Sequence, residues 1–300
     1  MKKFFTLAAL LLFAGSTVSA QDFITKALDP NTDMPTFDWS KAVKFIPIAI
    51  SESVGAEMAP ENVVFDATID DTRNWLYVWD NTYAGVDQDG SLNSFGQPED
   101  HIAMDVTTFG WSGCGFCAVN EPQDWSVLDD TWVLHFGIKS IDNAGHQIVV
   151  GEDYGFTLGT EAVNGAKVLG DFPRDNEWYY VDLPFSVIRQ LATTPMWGDD
   201  PTAYTGNYLK ILSGGVQGTQ LRLDNIFWYK DNTIVVEPDL PVGDVTGDQL
   251  VDVEDVNARI NIILKKKTID DYPGNADVNN EGIIDVEDVN SIINIILHKD

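Results

Sequence analysis

The chain has 300 residues, 44% hydrophobic and 22% charged, with 47 Asp and Glu against 18 Lys and Arg. A net charge of −29 repels the phosphates of nucleic acid and of anionic membranes, so neither is an expected partner. The composition is that of a folded chain with a sizeable core, not of a low-complexity or fibrous one.

Residues 1–20 read as a secretory signal peptide: Lys2-Lys3, a short apolar run, then Val18-Ser19-Ala20 before Gln21. That run is too short to span a bilayer, and no later stretch is long and apolar enough, so membrane insertion is not expected. The mature protein is expected to be secreted, or held at a cell surface by protein contacts.

Residues 21–230 are expected to form one domain, which from about residue 40 reads as strands and turns. Candidate strands are Val43–Ile50, Val63–Ile69, Trp75–Trp79, Ile102–Thr107, Thr131–Lys139, Gln147–Gly151, Trp178–Leu183, Tyr208–Leu212 and Gln220–Tyr229, rich in β-branched and aromatic residues and separated by Gly, Asn, Asp and Pro. Trp132, Leu134, Phe136 and Ile138 alternate with Val133, His135 and Gly137, and Leu221, Leu223, Asn225 and Phe227 alternate with Arg222, Asp224, Ile226 and Trp228. Only Pro184–Leu191 reads as a short helix, opened by its proline. The fold class is mainly β, an antiparallel sandwich. Trp178-Tyr-Tyr-Val-Asp-Leu-Pro184 and Leu221-Arg-Leu-Asp-Asn-Ile-Phe-Trp-Tyr229 resemble the jelly-roll, galactose-binding-like carbohydrate-binding modules of secreted bacterial proteins. The resemblance implies a jelly-roll sandwich and a glycan as its ligand.

Sugars stack their C–H faces on Trp and Tyr. Trp111, Trp125 and Trp197 lie in loop-like surroundings and are the candidate ligand-binding residues, whereas Trp132, Trp178 and Trp228 read as core. Cys114 and Cys117 are the only cysteines, and in an exported chain a structural disulfide between them is expected. Four His fall in no metal or triad spacing, and neither a Gly-x-Ser-x-Gly elbow nor a phosphate-cradling Gly loop is present. Asp70-Asp71, Asp129-Asp130 and Asp199-Asp200 read as turn residues, so the reading leans away from an enzyme.

Residues 231–242 form a short linker. Beyond it, Asp252-Val-Glu-Asp-Val-Asn-Ala-Arg-Ile-Asn-Ile-Ile-Leu264 returns as Asp285-Val-Glu-Asp-Val-Asn-Ser-Ile-Ile-Asn-Ile-Ile-Leu297, differing only at Ala258/Ser291 and Arg259/Ile292. An oxygen-rich loop precedes each copy, with oxygen side chains at positions 1, 3, 5, 9 and 12. That spacing lets one chain wrap a hard cation. The expected calcium ligands of the first loop are Asp244, Thr246, Asp248, the Leu250 carbonyl, Asp252 (directly or through water) and Asp255. Those of the second are Asp277, Asn279, Glu281, the Ile283 carbonyl, Asp285 and Asp288. Two calcium ions are therefore expected, with folding coupled to their binding. Val256, Ile260, Ile263 and Leu264, copied as Val289, Ile293, Ile296 and Leu297, are expected to pack the two helices together.

With Gly243-Asp-Val-Thr-Gly-Asp248 and Gly274-Asn-Ala-Asp-Val-Asn-Asn-Glu-Gly282, residues 243–300 resemble a type I dockerin, a small all-α module with one calcium loop and one helix per repeat. The resemblance implies docking onto a cohesin-like or other surface protein. Val253, Glu254, Val286 and Glu287 stand at the loop positions that read the partner, where the family usually carries Ser and Thr, and Gln249 stands where it places a Gly at a sharp turn. The whole chain reads as an exported, non-catalytic, glycan-binding sandwich with a docking tail. The alternatives are a glycan-active hydrolase or lyase on the same sandwich, and a structural surface protein whose tail packs on its own sandwich.

Overall fold

A computed structural model describes residues 23–26, 37–70, 72–84, 95–96, 101–152, 154–191, 195–234, 240–272, 274, 276–279 and 282–298. The expected signal peptide, the middle of the expected linker and Glu281 lie outside the described residues. The chain divides into two compact units, Met1–Val235 and Val236–Asp300.

In chain order the strands of the first unit are β1 Ile24–Lys26, β2 Ala42–Ala49, β3 Asn74–Val78, β4 Tyr83–Ala84, β5 Phe95–Gly96, β6 His101–Val106, β7 Ser112–Gln123, β8 Trp132–Lys139, β9 His146–Val150, β10 Tyr154–Leu158, β11 Lys167–Gly170, β12 Tyr179–Pro184, β13 Tyr204–Ser213 and β14 Gln220–Asp231. Two short helices, α1 Glu52–Glu57 and α2 Phe185–Gln190, accompany them. An eight-stranded sheet runs β1-β12-β8-β14-β6-β4, with β2 also on β14 and β5 on β6, and every pairing in it is antiparallel. A six-stranded sheet runs β11-β10-β9-β13-β7-β3, antiparallel except for β10 with β11.

The sheets share one core. Leu76, Val78, Phe116, Ile148, Phe156 and Ile211 of the smaller sheet belong to the same buried cluster as Met104, Leu134, Phe136, Ile138, Leu223 and Trp228 of the larger. Trp132 and Trp228 on their strands, and Trp178 just ahead of β12, are buried, as the sequence suggests. Phe45, Val133, Tyr180, Phe227 and Tyr229 form a second buried cluster with Phe37, against which Trp39 packs. Phe37 sits edge-on to Phe227 at 5.3 Å and to Tyr229 at 4.9 Å. Within this layer His135 Nδ1 lies 2.9 Å from Asp182 Oδ1, which also accepts a bond from the Tyr229 hydroxyl at 3.0 Å. This aromatic layer covers part of one outer face of the sandwich.

Three sequence expectations about the strands of this unit change. Val63–Ile69 is not a strand: it makes one isolated bridge, Phe45 to Val63, and the N–H groups of Ala67 and Ile69 donate to Pro47 and Ile48. Asp66 and Asp70 side chains take neighbouring N–H groups at Thr68, Thr72, Arg73 and Asn74, donors a ladder would need. In β14 the alternation breaks between Asp224 and Phe227, so Leu221 and Leu223 share the main core with Ile226 and Trp228 while Phe227 joins the outer layer. Asn225 sits at the break with φ 48°. An extra residue here re-phases the strand.

The third change is the cysteine pair. Cys114 and Cys117 are both free thiols on β7. Three residues of extended strand separate their Cα atoms by about 10 Å and point their side chains to opposite faces, beyond the reach of a disulfide. Cys114 faces the core, and burial pushes its thiol pKa up.

In the second unit, α3 (Val253–Ile263) and α4 (Val286–Leu297) each start with a capping box, Asp252 with Asp255 and Asp285 with Asp288. Their shared core holds Val245, Val251, Ala258, Ala276 and Ile292, with Val256, Ile262, Ile295 and Ile296 packed against it. The expected apolar stripe is therefore rotated: Ile260, Leu264, Ile293 and Leu297 are exposed. The buried face of α3 is instead Asp255, Ala258 and Arg259. No helix among the described residues is long and apolar enough to cross a membrane.

Candidate functional site

The outer face of the six-stranded sheet carries exposed aromatic surface. Register across β3, β7, β13, β9 and β10 aligns Tyr77, Gly115, Lys210, Val149 and Gly155 in one row. A neighbouring row aligns Gly113, Leu212, Gln147 and Thr157. Glycines at 113 and 115 flatten β7, and tryptophans fill the space. A Cβ on Gly113 would lie 2.7 Å from the Trp111 ring and 2.9 Å from the Trp79 ring, and one on Gly115 would lie 2.9 Å from Trp79 and 2.2 Å from Asn207 Oδ1. The Trp79 and Trp111 rings are 6.1 Å apart at 45°, and Tyr77 meets Trp79 at 6.3 Å. Trp111 is 37% exposed and Tyr77 40% exposed.

The supports of these rings are local. Asp80 and Asn81 both take positive φ, 52° and 54°, in the turn that follows Trp79. Thr82 pins that turn: its N–H and hydroxyl donate to the Trp79 carbonyl at 3.1 and 2.8 Å, and its hydroxyl accepts from Gly113 N–H at 3.0 Å. Strained backbone of this kind persists where surrounding structure over-determines it. Gly215, at φ 64°, lets its turn close on Trp111, since a Cβ there would fall 2.2 Å from the Trp111 nitrogen. Polar groups border the aromatics: Asn207, Lys210, which donates to the Glu152 carbonyl, and Gln147, which accepts from Asn164 at 3.1 Å.

Of the three tryptophans singled out from sequence, only Trp111 is on this face. Trp125 is 0% and Trp197 7% exposed. Their rings stack at 4.7 Å, and Trp125 also stacks on Tyr208 at 5.3 Å while its N–H donates to Gln123 Oε1 at 3.2 Å. Both are core residues, and burying such large rings outweighs their loop-like neighbours. Sequence reasoning passed over Tyr77, and it noted Trp79 beside Asp80 and Asn81 without naming it a site residue. The signal that marks them is the Trp75-Leu-Tyr-Val-Trp79 alternation, which puts Trp75 and Tyr77 on the face opposite Leu76 and Val78. A second cleft is lined by Asp66, Arg73, Asn74, Glu121 and Gln123, and Arg73 there is paired with Asp70 at 2.6 Å and Asp66 at 3.2 Å.

In the tail, the first loop gathers two buried carboxylates. Asp244 accepts from Gly247 and Gln249 N–H at 2.6 and 2.7 Å, and Asp255 from Val245, Thr246 and Asp252 N–H at 2.8, 2.9 and 2.8 Å. Asp248 turns to Leu250 N–H and Asp252 caps α3 through Glu254 N–H. The second loop repeats this: Asp288 accepts from Val278 and Asp285 N–H at 2.9 Å each, Asp285 caps α4, and Asp277 accepts from Gly282 N–H at 2.7 Å. Asn279 N–H reaches Asp288 at 3.5 Å. Gln249 takes φ 68° where the second loop has Gly282 at 85°. Among the described residues no three His, Cys, Asp or Glu side chains gather around one point. The acids at loop positions 1 and 12, all buried but the half-buried Asp277, bind each loop to itself through N–H groups and keep further lone pairs, a donor set that suits a hard cation joined by Thr, Asp and carbonyl oxygens. Val253 is 63% and Val286 62% exposed, and Leu250 and Ile283 are exposed beside them.

The sequence matches no protein-family model and no curated protein. Among solved structures, a family 30 carbohydrate-binding module is similar at 15% identity and a TM-score of 0.34, covering 52% of this chain and 92% of its own. The family 11 carbohydrate-binding module of a cellulosomal cellulase of Clostridium thermocellum is similar at 13% identity and a TM-score of 0.30, covering 53% and 88%.

Proposed function

We propose that this chain acts outside the cell as a non-catalytic binding protein. The sandwich takes a glycan on the outer face of its six-stranded sheet, and a calcium-loaded, dockerin-like tail docks a protein partner. One observation carries the first half: Tyr77, Trp79 and Trp111 stand together over a glycine-flattened strand, with Asn207 and Lys210 alongside. Flat apolar rings edged by amide and ammonium groups match the C–H faces and hydroxyls of a sugar chain. On a glycan array, Trp111→Ala and Trp79→Ala each weaken the strongest signal about tenfold, the loss of one stacking contact of about 1.4 kcal/mol. Wild-type affinity in the double variant, or release of reducing ends by the wild type, would overturn this reading.

For the tail, the supporting observation is an apolar stripe left open twice. Val253, Ile260 and Leu264 share one face of α3, and Val286, Ile293 and Leu297 the same face of α4, all of them exposed. A cohesin-like or other surface protein is the partner class. In binding to a panel of cohesins in calcium, Val253→Glu with Val286→Glu lowers affinity at least tenfold, by burying an unpaired charge in the interface. A double variant that binds as the wild type does would exclude this stripe from the contact.

A further inference from the structure

Arg259 and Ile292 hold equivalent places in the two copies, and both are fully buried. They are one of only two differences between the copied segments. Each helix meets the other copy's loop. A Cβ on Gly243, just ahead of the first loop, would lie 3.2 Å from Ile295 Cδ1 and 3.6 Å from Ile292 Cγ1, so α4 sits against the first loop with apolar groups. On the other side α3 presents Arg259 to the second loop. Its Nη1 lies 3.7 Å from Asp288 Oδ1, and Asp277 and Asp255 also attract it. Asp277 and Asp288 are the first and twelfth positions of the second loop.

We propose that the Arg259 guanidinium is a built-in cation of the second loop, so that the two copies bind calcium unequally: tightly in the first loop, weakly in the second. The inference rests on the calcium reading of the loops. A guanidinium cannot give up its charge in a protein, so this cation is permanent. In a buried setting its field is poorly screened, and it both offsets the attraction of Asp277 and Asp288 for a divalent ion and repels that ion directly. The first loop has Ile292 in the matching place: Arg259 is attracted by Asp255 less than by Asp288 or Asp277, so the charge of the first loop is offset least. The two oxygen rings are thus alike in sequence and unlike in charge.

Calorimetric titration of the EDTA-treated full-length chain with calcium chloride tests this. The wild type shows one tight site and a second at least tenfold weaker. Arg259→Ile, which makes the two copies match at this position, tightens the weaker site at least tenfold. Asp244→Ala removes the tight site of the wild type. Two equally tight sites in the wild type, or a weaker site unchanged in Arg259→Ile, would overturn the proposal while leaving the calcium reading standing. No calcium uptake by the wild type sinks both. If Arg259→Ile fails to fold, Asp244→Ala decides alone, because a tight site surviving it contradicts the assignment to the first loop.

Discussion

Gly274→Ala takes about 3 kcal/mol from the stability of the tail and leaves that of the sandwich unchanged. A Cβ at this position would lie 1.9 Å from the Asp244 carbonyl oxygen and 2.8 Å from both its carbonyl carbon and Val245 Cα. Every one of those atoms is backbone, so no rotamer change relieves the clash. Gly274 N–H also donates to the Val245 carbonyl at 3.1 Å, which fixes the approach. Moving Asp244 away breaks its own bonds to Gly247 and Gln249 and those of Val245 and Thr246 to Asp255. The cost is about 3 kcal/mol, against about 3–9 kcal/mol of total stability for a unit of this size. All nine tryptophans lie before residue 236, so their fluorescence follows the sandwich, while loss of far-UV helical signal follows α3 and α4. Gly282→Ala is the control. Its Cβ meets nothing within 4 Å among the described residues, and its φ of 85° opposes the change, so its cost is about 1 kcal/mol. A Gly274→Ala protein that keeps the helical signal and melting of the wild type would disprove the close approach.

What could be read from residues alone, and what could not, follows the same physics. β8 was legible because Trp132, Leu134, Phe136 and Ile138 alternate without interruption and all four enter the core. β7, the strand under the aromatic face, was not: Gly113, Gly115 and two Cys give it little strand character, and the glycines are there to make room for Trp79 and Trp111. In the tail the duplication and its capping acids stood out, but the packing stripe did not. The buried side of α3 is built from Asp255, Ala258 and Arg259, residues that an apolar pattern ignores. Trp125 and Trp197 looked like loop aromatics because Asp, Pro and Gly surround them, and no local pattern announces that their rings stack on each other in the core.

Acid weakens the sandwich well above the range where carboxylates titrate, and His146 is the cause. The ring is fully buried on β9, and among the described residues neither nitrogen has a hydrogen-bond partner. Burial, with Arg174 nearby adding repulsion, pushes its pKa from 6.5 down to about 3. The folded value lies below the unfolded one, so between pH 6.5 and about 3 the unfolded chain takes up a proton that the folded chain refuses. Stability from this group is constant above pH 6.5 and falls by about 1.4 kcal/mol per unit below it, about 2.7 kcal/mol by pH 4.5. Asp70 and Asp182 act in a different window. Burial raises each carboxyl, but backbone N–H groups and Arg73 at Asp70, and His135, Lys41 and the Tyr229 hydroxyl at Asp182, outweigh it and hold both below 3.8. Their contributions persist above that value and fade only as pH drops through their lowered folded values. Urea unfolding followed by tryptophan fluorescence at pH 7, 5.5 and 4.5 separates the two windows. The wild type loses about 2–3 kcal/mol across that series, and His146→Phe, which cannot take the proton, loses little. Parallel losses in the two proteins would show that His146 is not the acid-sensitive group.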